Sequence, residues 1–66
     1  MILTPGLLIE AGFLLHPNSN QCYIKDNIRV TFYSWEYMIV VVDGKSIRGE
    51  NITVERFIKE FGFSPV

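Results

Sequence analysis

The chain has 66 residues and a mass of 7.6 kDa, enough for one domain with one core. Hydrophobic residues make up 48% and charged residues only 20%, which excludes a disordered tail, and six basic against seven acidic side chains leave a net charge of −1. No strong field draws such a chain to phosphate or anionic lipid, so a nonspecific electrostatic nucleic-acid binder is disfavoured.

A domain this small buries only about 60% of its unfolded surface. A chain both so short and so apolar is therefore expected to keep apolar area over for a partner. The single cysteine, Cys22, cannot close a disulfide within the chain, so a reducing, cytoplasmic setting is the simpler expectation. The first 15 residues are apolar, but they include Pro5, Gly6 and Glu10 and lack a basic start. They also fall short of the roughly 20 residues needed to cross a bilayer, so they are expected to form a helix and a strand.

Thr4-Pro5 starts the first helix: the threonine hydroxyl can accept from a free N–H, and proline gives up a donor that the first turn leaves unpaired. Leu3 and Leu8 stand at the two positions of a hydrophobic staple, and Gly12 ends the helix with Phe13 placed to fold back on Leu8. The helix is thus expected over 5–11. Phe13 to His16 forms a short strand before the turn Pro17-Asn18-Ser19-Asn20.

Strands follow at Gln21 to Lys25 and Ile28 to Tyr33 around Asp26-Asn27, then at Tyr37 to Val42 and Lys45 to Arg48 around Asp43-Gly44. A two-residue loop at Asp43-Gly44 pairs Val42 with Lys45 and Val40 with Ile47. Those residues and Met38 then share one face, while Ile39 and Val41 share the other with Ser46 and Arg48. The final helix starts at Thr53 with Ile52 and Phe57 as staple and stops at Gly62, with Phe63 able to close on Ile58. Val54, Phe57, Ile58 and Phe61 share its apolar face, and Glu55–Lys59 and Arg56–Glu60 form i,i+4 pairs on the solvated side. The expected fold is α+β, ordered α-β-β-β-β-β-α: an antiparallel meander of four or five strands, with a short N-terminal and a C-terminal helix packed on one face.

Catalytic chemistry has few parts. His16 is the only histidine, and no Cys or Asp stands beside it in a nucleophile or metal arrangement. Cys22 alternates with Ile24 on one strand face, where a free cysteine behaves as a small buried hydrophobe. The carboxylates fall in turns and on helix exteriors, and no glycine loop or Cys/His spacing suits a nucleotide or zinc. The chain is therefore expected to be no enzyme and to carry no catalytic residue, cofactor or metal. Ser64-Pro65-Val66 matches a Ser-x-aliphatic carboxyl-terminal peptide only formally.

The aromatic stretch says more. Phe32-Tyr33-Ser34-Trp35-Glu36-Tyr37 runs into Met38-Ile39-Val40-Val41-Val42, so both faces of the fourth strand are apolar, whereas a sheet covered on one side should alternate there. One reading is a central strand whose far face is shielded by neighbouring side chains. The other is an outward interface of Tyr33, Trp35, Tyr37, Ile39 and Val41 for self-association or for a protein partner. Stacking of single-stranded bases on these aromatics, with Arg29, Arg48, Lys25 and Lys45 on phosphates, is a further alternative. Nearby Asp26, Asp43, Glu36 and Glu50 cancel that charge and weaken it.

Leu7-Leu8-Ile9-Glu10-Ala11-Gly12-Phe13, the aromatic strands and Ile52-Thr53-Val54-Glu55-Arg56-Phe57 together resemble small uncharacterised accessory proteins of bacteriophages and Bacteroidota. The resemblance spans most of the chain through caps and turns, and it brings no site residues with it. It implies a cytoplasmic protein of phage or mobile-element origin that binds and blocks a host protein. The reading that results is a non-enzymatic protein-interaction module, self-associating or inhibitory, with no membrane and no small-molecule substrate.

Overall fold

A computed structural model describes all of residues 1–66. Its elements follow the expected order: α1 (Pro5–Glu10), β1 (Leu14–Leu15), β2 (Cys22–Lys25), β3 (Ile28–Phe32), β4 (Tyr37–Val42), β5 (Lys45–Glu50) and α2 (Val54–Phe61). The five strands form one open antiparallel sheet in sequence order, so the fold is α+β.

Both helices start as their caps dictate. Thr4 accepts from the Leu7 N–H at 3.2 Å and Thr53 from the Arg56 N–H at 3.0 Å. Gly62, at φ 82°, ends α2 by donating its N–H to the Ile58 carbonyl at 2.8 Å. The first helix stops one residue earlier than expected, with Ala11 as its cap, and the Phe13 N–H returns to the Leu8 carbonyl at 2.9 Å. That bond holds Phe13 back from the sheet, and β1 shortens to Leu14 and Leu15. A contact between segments far apart in the chain ties the two helix starts together: Leu3 donates to Ile52 at 2.9 Å and Val54 donates to Met1 at 2.8 Å, around a bridge between Ile2 and Thr53.

The Asp43-Gly44 turn takes positive φ at both residues, 50° and 82°, and fixes the predicted register, Val42 opposite Lys45 and Val40 opposite Ile47. At Asp26-Asn27 only Asp26 turns left-handed, at φ 53°. Beyond the expected end at Arg48, β5 continues to pair Gly49 with Met38 and Glu50 with Tyr37. Strand β3 ends at Phe32, although the Tyr33 N–H still reaches the Tyr37 carbonyl at 2.9 Å.

One face of the sheet holds the core. Ile28, Val30, Phe32, Met38, Val40, Val42 and Ile47 meet Leu3, Leu8, Phe13, Ile52, Val54 and Phe57 from the helical layer. Two expectations for α2 need correction. Ile58 is 42% exposed, because it lies roughly 70° round the helix from the centre of the Val54, Phe57 and Phe61 line. Phe63 packs edge-on against the Phe57 ring, with centroids 5.4 Å apart. The i,i+4 ion pairs do not form: Glu55 takes the chain's amino group at 2.6 Å, and the Glu60 carboxylate lies 3.9 Å from Lys45. Exposed helical pairs contribute only about 0.3–0.5 kcal/mol, so tertiary neighbours outcompete them.

Candidate interaction surface

The opposite face of the sheet has no second layer. Strand alternation and the register lay it out as three rows crossing the strands. The middle row carries Cys22, Thr31, Ile39 and Arg48 from β2 to β5. The next row toward the Asp43-Gly44 turn carries Leu14, Ile24, Arg29, Val41 and Ser46. The row toward the β3–β4 loop carries Tyr33, Tyr37 and Glu50. Tyr37, Ile39 and Val41 are half-buried by these neighbours, and Tyr33, 61% exposed, meets the Tyr37 ring edge-on with centroids 6.3 Å apart. Shielding and exposure therefore coexist: the column on β4 is partly covered by side chains of β3 and β5, and its outer surface faces solvent.

Trp35 separates from the other four predicted residues. It is 87% exposed at the loop apex and lines a groove of about 280 Å³ with Pro5, Tyr23 and Phe32, on the helix side of the sheet. A three-residue loop, Ser34 to Glu36, interrupts the strand alternation, so no parity rule reaches its apex. The loop is held by Ser34 Oγ accepting from the Tyr37 N–H at 3.1 Å and by the Glu36 carbonyl accepting from the Asn51 N–H at 2.7 Å.

The charges divide between the faces. Lys25 donates to the Ala11 carbonyl at 2.7 Å and lies 5.9 Å from the Phe13 ring centre. Lys45 repeats the device on the other helix, donating to the Glu60 carbonyl at 3.0 Å with its ammonium 5.7 Å from the Phe61 ring centre. Each lysine thus closes the carboxyl end of a helix, where a cation meets the negative end of the dipole. Both leave the candidate surface, whose charges are Arg29, Arg48 and Glu50. None of these three has an oppositely charged group within ion-pair distance in its own chain.

Reactive side chains are dispersed. His16 Nδ1 accepts from the Asn18 N–H at 3.1 Å within the turn. Cys22 is buried on the uncovered face, outside the core cluster. The structure holds no group of three or more His, Cys, Asp or Glu side chains able to share a metal ion. The carboxyl-terminal peptide turns back on itself through the Ser64 hydroxyl, 2.7 Å from the Val66 carbonyl, with Pro65 buried. No helix is long and apolar enough to cross a membrane.

No protein-family model, curated protein or solved structure matches the chain. The surface is therefore interpreted from its own residues.

Proposed function

We propose that the chain is a non-enzymatic protein-interaction module that self-associates through the uncovered face of its sheet. The observation that supports this reading is the β4 column Tyr37, Ile39 and Val41, apolar on a face where no helix packs. Covering about 300 Å² of that face would contribute about 7 kcal/mol before the costs of association, a large term beside the stability of so small a domain. A cytoplasmic role in blocking a host protein, as in phage accessory proteins, would use the same surface.

Light scattering across a concentration series tests the reading. The protein is expected to gain mass with concentration, and the Ile39→Thr/Val41→Thr variant is expected to stay folded as a monomer. A monomer at every concentration would overturn self-association. Binding of single-stranded nucleic acid is the second reading, supported by Arg29 and Arg48 on the same face as Tyr33 and Tyr37. It predicts a salt-sensitive mobility shift of a labelled oligonucleotide, lost when both arginines become Gln.

A further inference from the structure

Resting on the self-association reading, we propose that the occupant of the uncovered face is a second copy, docked so that Arg48 of each copy meets Glu50 of the other. Two identical faces can be closed by a two-fold axis lying between them, either along the strands or across them. An axis along the strands keeps every residue in its own row. Centred on β5 it sets Arg48 against Arg48, and centred on β4 it sets Arg48 against Thr31, so neither choice makes an ion pair. An axis across the strands leaves each strand facing its own copy and reverses the rows. If it passes through the middle row, Arg48 again meets Arg48.

Passing midway between the Ile39 row and the Tyr37 row, the axis exchanges those two rows. Tyr37 then covers Ile39 of the other copy, Tyr33 covers Thr31, and Glu50 faces Arg48 twice, once on each side of the axis. The arrangement uses the two β5 charges that have no partner within ion-pair distance in their own chain. It also places them at the rim, on an edge strand, where long side chains can reach across the roughly 10 Å between packed sheets. The two rows that overlap, about 6.8 Å apart on four strands about 4.8 Å apart, cover roughly 260 Å² per copy, and the Val41 row lies outside them. The pair then buries roughly 500 Å², well below the usual range for stable complexes, so the dimer is weak and its rim charges decide whether it forms.

A charge swap tests the axis. Arg48→Glu turns both β5 charges negative and Glu50→Arg turns both positive, so each variant alone is expected to self-associate at least tenfold more weakly than wild type. Mixed in equal amounts, the two variants restore both ion pairs across the interface, and sedimentation velocity is expected to show a heterodimer within about threefold of wild-type affinity. Arg48 and Glu50 are exposed and make no side-chain hydrogen bond within the chain, so circular dichroism is expected to show both variants folded. If wild type associates but the mixture binds no better than the separate variants, or binds at least tenfold more tightly than wild type as an axis setting residue 48 against residue 48 requires, the axis is wrong while self-association stands. A wild-type chain that stays monomeric removes both.

Discussion

The assignment of faces on β4 can be tested with two substitutions of nearly identical shape. Val40→Thr and Val41→Thr each exchange one methyl for a hydroxyl on adjacent residues of the same strand, so β-propensity and volume hardly change. Val40 is fully buried between Val30 and Ile47, where a new hydroxyl finds no water and no free partner. Such an unsatisfied group costs about 1–3 kcal/mol. Val41 lies between Arg29 and Ser46 on the uncovered face, where the hydroxyl reaches water and the cost stays within about 0.5 kcal/mol. At about 2.1 cal/mol/K per residue, the 66-residue chain unfolds with an entropy near 140 cal/mol/K, or about 7 °C in Tm per kcal/mol. Val40→Thr is therefore expected to melt about 7–20 °C below wild type and Val41→Thr less than about 4 °C below it. Thermal melts followed by circular dichroism at low concentration keep self-association out of the comparison. If Val41→Thr is instead the costly change and Val40→Thr the mild one, the strand has slipped by one residue and Met38, Val40 and Val42 form the outward set, whereas equal large costs would mean that both faces are covered.

The two lysines should differ although their partners match. Lys25→Met loses a short bond to Ala11 and a ring contact in a half-buried position, and is expected to cost about 1–2 kcal/mol in urea unfolding. Lys45, with 61% of its side chain exposed, is expected to cost no more than about 0.5 kcal/mol as Lys45→Met, and equal costs would refute the ranking. Gly44→Ala places a Cβ at φ 82° with no atom within 4 Å, so backbone strain alone is expected to remove about 1–2 kcal/mol. A neutral result in urea would mean that the turn relaxes out of its left-handed conformation.

What the sequence discloses follows the range over which each interaction acts. Thr4, Thr53, Gly62 and Asp43-Gly44 work within a few residues of themselves, so their chemistry can be read locally and the elements start and turn where expected. The hairpin turn then carries parity along β4 and β5, which is why Tyr37, Ile39 and Val41 can be assigned to one face from the sequence. Tyr33 follows from its pairing with Tyr37. Trp35 does not, because its side is set by the path of a loop and by Pro5, Tyr23 and Phe32 from distant segments. The clamps made by Lys25 and Lys45 were invisible for the same reason, since each joins a strand end to a helix end 14 or 15 residues away. Gly49 and Glu50 lay outside the expected strand, so the charge that could complement Arg48 across a dimer was not seen to share its face.

The edges of the sheet offer a rival route to assembly, and their composition argues against it. Residues flanking a two-residue hairpin form a hydrogen-bonded pair, so Lys45, Ile47 and Gly49 point their backbone groups at β4, and Ser46, Arg48 and Glu50 point theirs outward. That outward edge carries Lys45, Arg48 and Glu50, the kind of charged side chains that discourage strand addition. The opposite edge is β1, only two residues long, too short to template a strand despite the exposure of Leu14 and Leu15. Both edges are thus blunted, one by charge and one by length. The face between them has neither protection, since its two arginines flank an apolar column and leave it open. For the self-association proposed above, a fold that guards its edges and leaves the β4 column uncovered makes that face the route, and Ile39→Thr is expected to weaken the dimer without unfolding the monomer.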